Sequence, residues 1–280
     1  MDQFIMQKPF IQNRGQFKAH VMGKVPLKSE VFRFVNDLTE YLFPVLSEDQ
    51  LPCEESCLDG ILQLLEKILN SFDTGIANVH NTTMEFRQAL PELYESLTDD
   101  AMAINEGDPA ACCVEEVIIS YPGFYAIMIY RIAHELDRLS VPFIPRMLTE
   151  FAHSKTGIDI NPKAKIGKLF CIDHGTGIVI GESAVIGNSV KIYQGVTIGA
   201  LSVSKSCAGI KRHPTIEDNV TLYAGSTILG GDTIIGHDSI VGGNVWLTHS
   251  VESYSLVINQ DKIRLIDKSM DMNNIINFVI

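Results

Sequence analysis

The chain has 280 residues, of which 46% are hydrophobic, enough for a buried core in one large or two modest domains. The formal net charge of −12 leaves no broad basic surface for nucleic acid, so nucleic acid is excluded as a partner. The sequence has no apolar run of about 18 residues and no signal-peptide layout at its start, so we expect a cytoplasmic protein without a membrane partner.

The six cysteines are scattered and include no CxxC pair. In a chain of this size such thiols are usually small hydrophobic side chains rather than disulfide partners or zinc ligands. We therefore expect reduced cysteines and no metal site.

Residues 1–155 are predicted to form an α-helical domain, because apolar residues recur at steps of three and four. The face of EVFRFVNDLTEYL carries five of them: Val31, Phe34, Val35, Leu38 and Leu42. CLDGILQLLEKILNSF and PGFYAIMIYRIAHELDRL, residues 57–72 and 122–139, repeat the pattern. Pro142 and Pro145 are expected to close the last helix of this domain.

Residues 156–258 change to a period of six. Aliphatic residues are expected in the core at Ile160, Ile166, Ile172, Ile178, Ile180, Ile186, Ile192, Ile198, Ile216, Leu222, Ile228, Ile234 and Ile240, with Trp246 in the same phase. This period predicts a parallel β-helix whose stacked coils share one core. The glycines that follow several of these positions are expected to turn the corners.

The period has two faults. The first is a two-residue step from Ile178 to Ile180, directly after the DHGTG stretch at 173–177, which places His174 beside a defect in the coil. The second is the segment 201–214, LSVSKSCAGIKRHP, which lacks core residues and ends in Lys211, Arg212 and His213. It predicts a charged, protruding loop.

Five segments resemble those of the serine O-acetyltransferases within the hexapeptide-repeat acyltransferases. They are GDPA (107–110), GIDINP (157–162), IDHGTGIVIGESAVIG (172–187), YQGVTIGA (193–200) and RHP (212–214). The resemblance implies a left-handed β-helix after the N-terminal helical domain, and thus an α+β fold. It also implies a homotrimer, or a dimer of trimers, with active sites between neighbouring subunits. Its activity is transfer of an acetyl group from acetyl-CoA to the hydroxyl of L-serine for cysteine biosynthesis.

A general base near neutral pKa suits attack by a serine hydroxyl on a thioester, and histidine usually fills this role. The resemblance makes His174 that base and Asp159 the carboxylate that orients it. It assigns Asp108 and Asp173 to the substrate ammonium group, and Arg212 with His213 to its carboxylate. Gln194, in YQGVTIGA, is assigned to the same substrate site.

Acetyl-CoA is expected as a co-substrate in a groove along the coils, with no permanently bound cofactor. Small residues there would admit the pantetheine arm, and four cations are candidates for its phosphates. The small residues are Ala200, Ala224, Gly225, Gly242 and Gly243; the cations are Lys205, Lys211, Lys262 and Arg264.

The family pattern is not matched everywhere. Asn161 stands where the family commonly has histidine, and GALSVSK (199–205) replaces a Gly-Gly-Thr-Gly-Lys loop. The resemblance further implies feedback inhibition by L-cysteine. Residues 259–280 form a tail ending in Ile280, for which two roles stay open: binding O-acetylserine sulfhydrylase, or folding back on its own trimer.

Three alternatives from other classes remain. A hexapeptide acyltransferase acting on a sugar or antibiotic hydroxyl would keep His174 but needs no pocket for a zwitterion. A zinc γ-carbonic anhydrase needs metal-binding histidines, commonly spaced HxxxxH, a spacing that the eight histidines do not show. A scaffold of the same architecture would have no need of the acidic, histidine and arginine set.

Overall fold

The computed structural model describes residues 12–15, 23–47, 55–201 and 210–259. Residues 12–15 are helical, and six further helices of the described residues precede the coils. They are α1 (Lys28–Leu42), α2 (Glu55–Asn70), α3 (Val79–Gly107), α4 (Val114–Ser120), α5 (Pro122–Arg138) and α6 (Ile144–Thr156), with a 3₁₀ turn at Pro44–Leu46. None of the helices in these ranges is long and apolar enough to span a membrane.

The predicted helical faces are the buried ones. All five apolar residues singled out in α1 are buried, and α2 buries a similar stripe of Ile61, Leu62, Leu65, Ile68 and Leu69. Helix α5 is buried on more than one side, because it packs against both α3 and α6. The amphipathic period therefore located these helices correctly.

The expectation that Pro142 and Pro145 close the last helix is wrong. Helix α5 already ends at Arg138, and a further helix, α6, begins at Ile144 with Pro145 in its first turn. Proline is tolerated there because the first-turn N–H groups have no intrahelical acceptor. Helix α6 ends at Thr156, where Gly157 adopts a left-handed conformation with φ of 71°. The domain limits at 155 and 258 stay predictions.

The coils form three parallel sheets, which confirms the predicted parallel β-helix. The first sheet contains β1 (Asp159–Ile160), β4 (Val179–Ile180), β7 (Thr197–Gly199), β10 (Thr227–Leu229) and β13 (Trp246–Leu247). The second contains β2 (Lys165–Ile166), β5 (Val185–Ile186), β8 (Thr215–Ile216) and β11 (Ile234–Ile235). The third contains β3 (Cys171–Asp173), β6 (Lys191–Tyr193), β9 (Thr221–Leu222), β12 (Ile240–Val241) and β14 (Leu256–Val257).

Most six-residue units bury two side chains. Ile178 and Ile180 are 0% and 1% exposed, and Val196 and Ile198 are likewise both buried. Ile178 thus occupies the second inward position of its unit, and it is buried as predicted. The pairing of Asp159 with Val179, 20 residues later, shows that the first coil has two residues more than the next, in which Val179 pairs with Thr197. The extra residues lie between Ile172 and Ile180.

The predicted core phase is also wrong after Ile228. Ile234, Ile240 and Trp246 are 42%, 40% and 68% exposed, whereas Ile235 and Val241 are fully buried. The step from Ile228 to Ile235 is seven positions instead of six, because the corner at Gly230–Gly231 contains one more residue. A Cβ on Gly231 would lie 2.4 Å from the Lys211 carbonyl oxygen, so this corner packs against the end of the predicted loop.

The glycines after the core positions are required by the close packing of successive coils and not by a positive φ. At Gly187 an added Cβ would lie 2.8 Å from the Asp218 backbone nitrogen of the next coil, although its φ is not positive. Several corners instead place a non-glycine residue at positive φ, among them Leu169, His174, Ser189 and Asn219. The coil corners therefore carry local backbone strain, and His174 is one of the strained residues.

A buried ion pair joins the helices to the first coil. Asp100 of α3 is fully buried and accepts hydrogen bonds from Arg131 of α5 and from the Phe170 N–H at 2.9 Å. Arg131 also donates to the Gly167 carbonyl oxygen at 2.7 Å. Burial raises the pKa of Asp100, and the Arg131 guanidinium opposes that effect. The pair thereby fixes α3 against the first coil, and with it Asp108, the residue that caps the end of α3.

Candidate active site

His174 lies in the corner between β3 and β4, where the first coil has its two extra residues. Its φ is 58° and its side chain is 71% exposed, so the imidazole extends into solvent. The strand register places Gln194 one coil above it, followed by Ala224 and Gly243. We call this column of residues the His174 corner.

Asp108 comes to this corner from the helical region, as the residue that caps the end of α3. Its carboxylate accepts hydrogen bonds from the Ala110 N–H and the Tyr121 hydroxyl, both at 2.8 Å. These contacts hold the pKa of Asp108 below its usual value, and the charges of Lys191 and His174 act in the same direction. Asp108 is therefore a fixed, ionised carboxylate beside the imidazole.

Asp173 supplies a second carboxylate. Its Oδ1 lies 3.6 Å from His174 Nδ1, and its Oδ2 lies 3.3 Å from Lys191 Nζ. The structure thus brings Asp108, Asp173 and His174 of the sequence prediction together. Lys191 and Tyr121 were missed, because no motif or spacing in the sequence marks them.

Asp159 has a different partner from the one expected. Its Oδ1 accepts a hydrogen bond from the Arg146 guanidinium at 3.1 Å, and among the described residues no hydrogen bond or ion pair joins Asp159 to His174. Asp159 also lies near Glu150 and His153, a set of possible metal ligands. Arg146 pairs with Glu150 as well, so a cation already bridges these carboxylates.

Arg212 and His213 lie at another corner, between β4 and β5. The Arg212 guanidinium pairs with Glu182, which lowers the pKa of that carboxyl group. The Ser183 hydroxyl accepts the backbone N–H groups of Arg212 and His213 at 2.9 and 3.1 Å. We call this set, Glu182, Ser183, Arg212 and His213, the Arg212 corner. Glu182 and Ser183 lie within the quoted IDHGTGIVIGESAVIG segment but were not assigned a role.

His213 is buried in this corner and its ring is fixed. Its Nδ1 accepts the Ser183 N–H at 3.1 Å, so the neutral ring carries its proton on Nε2. The ring packs so closely on Gly181 that a Cβ there would lie 1.9 Å from His213 Cδ2. Burial, with the nearby Arg212 charge, lowers the pKa of His213. At neutral pH His213 is an uncharged hydrogen-bond donor.

The proposed phosphate contact of Lys211 is not supported by its surroundings. Its ammonium group donates to the carbonyl oxygens of Ser183, His213 and Pro214 at 3.0, 2.7 and 3.2 Å. These contacts use its three donors to close the base of the loop. The other three candidate cations, Lys205, Lys262 and Arg264, lie outside the described residues, as does most of the predicted loop.

The two corners lie at opposite ends of the first sheet. Strand β4 runs from the His174 corner toward Glu182, and the three steps from Ile178 to Gly181 span about 10 Å at 3.3 Å per residue. The candidate acetyl-CoA residues are divided in the same way. Ala224, Gly225, Gly242 and Gly243 belong to the His174 corner, whereas Ala200 follows β7 at the Arg212 end.

Comparison with known proteins gives one consistent result. No family model matches the sequence. The chain is 51% identical over 187 residues to a plasmid-encoded serine acetyltransferase of Synechococcus elongatus, a match covering 65% of this chain and 58% of the relative. It is 41% identical over 189 residues to a serine acetyltransferase of Staphylococcus epidermidis, covering 65% of this chain and 86% of that relative. The chain belongs to the serine acetyltransferase family.

Solved structures of the family share the fold. Serine acetyltransferase 1 of Entamoeba histolytica, solved with L-cysteine, superposes with a TM-score of 0.73 at 34% identity, covering 84% of this chain and 88% of that one. The Neisseria gonorrhoeae serine acetyltransferase solved with serine gives 0.58 at 28% identity, covering 81% and 94%. The helical region followed by hexapeptide coils, consistent with left-handed winding, is therefore the architecture of this acyltransferase family.

Proposed function

We propose that this protein transfers the acetyl group of acetyl-CoA to the hydroxyl of L-serine, forming O-acetylserine for cysteine biosynthesis in the cytoplasm. The observation that carries the proposal is the convergence of Asp108, Asp173 and His174 at one exposed corner. Two carboxylates beside an imidazole suit a substrate that carries an ammonium group next to the hydroxyl to be activated. A sugar or antibiotic hydroxyl, the alternative, gives no reason for the fixed and ionised Asp108.

The proposed reaction uses these residues as follows. His174 accepts the proton of the serine hydroxyl while its oxygen attacks the thioester carbonyl, which gives a tetrahedral intermediate. Collapse of the intermediate breaks the carbon–sulfur bond, and the imidazolium returns its proton to the departing CoA thiolate. Asp159 orients the imidazole in this proposal. Arg146 engages Oδ1 of Asp159, and the proposal assigns Oδ2 to the histidine.

The substrate carboxylate requires a second chain. In one chain Arg212 lies at the opposite end of the first sheet from His174, so one serine molecule cannot reach both within it. We infer that a neighbouring chain of a homotrimer supplies Arg212 and His213. Gln194 would contact serine, and the small residues of both corners would line the acetyl-CoA groove. The exposed Ile240, Trp246 and Leu256 of the upper coils are consistent with burial between chains.

Release of the CoA thiol tests the function. With acetyl-CoA and L-serine together we expect thiol release and one equivalent of O-acetylserine, measured with a thiol-reactive dye and by NMR. A galactoside or water in place of serine should give only the background rate. Equal release with the galactoside would instead support the alternative acceptor.

L-cysteine is proposed as an inhibitor that competes with serine, because the two amino acids differ only in oxygen against sulfur. The Entamoeba relative was solved with L-cysteine, which supports this proposal. Insensitivity to millimolar cysteine in the same assay would contradict it. Residues 260–280 lie outside the described residues, so binding of O-acetylserine sulfhydrylase through Ile280, and a contact of Lys262 with acetyl-CoA, stay predictions.

Arg212→Ala is expected to raise the KM for L-serine by about 10- to 100-fold, the loss of a charge-assisted hydrogen bond of about 1.5–3 kcal/mol. The KM for acetyl-CoA should stay within about threefold, because of the two substrates only serine is assigned a contact with this guanidinium, through its carboxylate. Initial rates with each substrate varied in turn measure both constants. Arg138→Ala is the control, since Arg138 forms an ion pair with Glu135 in the helical region. Equal effects on both substrates would show that Arg212 only supports the loop.

A further inference from the structure

Lys191 of β6 contacts both the end of α3 and strand β3 beside His174. Its ammonium group donates to the Gly107 carbonyl oxygen at 2.6 Å, at the end of α3, and lies 3.3 Å from Asp173 Oδ2. It also lies 4.8 Å from the centre of the Tyr193 ring. Gly107 directly precedes Asp108, and Asp173 directly precedes His174. One lysine thus connects the helical half of the site to the coil half.

The lysine is held in this position by its surroundings. Its side chain is only 20% exposed, and that of Asp173 is 12% exposed, so solvent screens the pair less than a surface ion pair. Strand pairing of Lys191 with Cys171, one coil below, places the side chain beside Asp173, which pairs with Tyr193. The position depends on the 20-residue length of the first coil, which brings β6 over β3.

The charges of the two carboxylates assigned to the substrate amine do not balance without Lys191. Asp108 and Asp173 are two carboxylates, while the substrate brings one ammonium group. Lys191 pairs with Asp173, and among the described residues no cation forms an ion pair with Asp108. With the lysine present, the two carboxylates carry one uncompensated negative charge, which matches the single ammonium group of the substrate.

We propose that Lys191 is a positioning residue of the serine site: its ammonium group ties the Gly107–Asp108 end of α3 to Asp173 and leaves Asp108 alone to bind the substrate amine. The proposal rests on the serine acetyltransferase activity proposed above. Lys191 does not touch the reacting atoms. It fixes the distance between the amine-binding carboxylate and the general base, and it sets the charge beside the imidazole.

Loss of the lysine charge therefore has a predictable sign. An uncompensated Asp173 stabilises the imidazolium form and so raises the pKa of His174. The other charged or titratable groups around Asp108, Asp173 and Lys191 remain: Glu116 of α4, Tyr121 before α5, Cys171 of β3 and Tyr193 of β6. Asp159, which the proposed function assigns to the imidazole, does not change either. Only Lys191 changes in the experiment.

Lys191→Met keeps the aliphatic stem and removes the charge, whereas Lys191→Arg keeps the charge. We expect Lys191→Met to raise the pKa of His174 by about half a unit to one unit. It should move the acidic limb of the kcat/KM profile for serine by the same amount to higher pH. Lys191→Arg should stay within about 0.2 units of wild type. The pKa is measured by NMR titration of the His174 ring, assigned with His174→Asn.

Lys67→Met is the control, because Lys67 pairs with Glu30 far from the site. A His174 pKa that does not move in Lys191→Met overturns the proposal, even if activity falls, since a purely structural lysine would lower activity without that shift. An equal shift in Lys191→Arg overturns it too. Should Lys191→Met fail to fold, Lys191→Gln decides in the same way. Absence of serine-dependent thiol release in wild type refutes the proposed function, whereas the NMR titration tests the charge effect separately.

Discussion

Replacement of His174 by alanine is expected to lower kcat by about 10²–10⁴-fold, because a positioned general base contributes that much to the rate. The imidazole of His174 is exposed, and Asp108 and Asp173 lie beside it. His213, the histidine of the Arg212 corner, is instead buried, and its Nδ1 accepts the Ser183 N–H. Within the described residues, His174 is the one histidine at this corner. Thiol release at saturating serine and acetyl-CoA measures the loss.

The backbone at this position calls for a second variant. His174 has a φ of 58°, a region that alanine occupies at a cost of roughly 1–2 kcal/mol but that asparagine tolerates better. His174→Asn should therefore lose the same turnover while keeping the wild-type melting temperature and acetyl-CoA affinity. His80→Ala, on an exposed histidine that pairs with Glu66, should keep full activity. Wild-type turnover in either His174 variant would refute the general-base role.

Arg131→Met is expected to destabilise the fold by about 3–5 kcal/mol, because it leaves the fully buried Asp100 carboxylate without its cation. Urea unfolding at pH 7 measures the loss. Arg138→Met, on the same helix, removes an exposed ion pair with Glu135 and should cost no more than about 1 kcal/mol. A loss as small in Arg131→Met as in the control would show that the buried pair does not hold the helices to the coil.

The pH dependence of the Arg131→Met deficit follows from the direction of the Asp100 pKa. Burial raises that pKa in the folded state, and without Arg131 nothing of comparable strength opposes it. A group with a raised folded pKa stabilises the fold below its unfolded pKa and loses that contribution as pH rises through the folded value. The deficit should therefore shrink when the pH is lowered from 7 toward the usual range of an aspartate. A deficit that grows on acidification would contradict this.

Periodicity was sufficient to predict the architecture. An amphipathic face repeats in α1 and α2, and a six-residue step repeats across the coils, so local pattern and global fold agree there. The errors occur where one or two residues break the period. The extra residue near Gly230 moved the core from Ile234 to Ile235, and a period alone does not reveal at which corner an inserted residue is accommodated.

The sequence predicted some residues of the candidate site and missed others. The motif around His174 and Asp108 marked residues that the fold brings together, although 66 positions separate them in the chain. Lys191 and Tyr121 were missed because their roles depend on which coil lies above which and on where α3 ends. The contact of Asp159 with Arg146 was missed because it depends on α6, and the sequence predicts no helix after Pro142 and Pro145.

Mixed assembly of two defective variants tests most directly whether one active site takes residues from two chains. His174→Ala and Arg212→Ala chains are unfolded together, refolded together and assayed at serine concentrations below the wild-type KM. If the His174 corner of one chain works with the Arg212 corner of its neighbour, random assembly should restore about one quarter of wild-type activity, because intact pairs of corners then reappear. Activity no higher than the sum of the two variants assembled separately would contradict a site shared between chains.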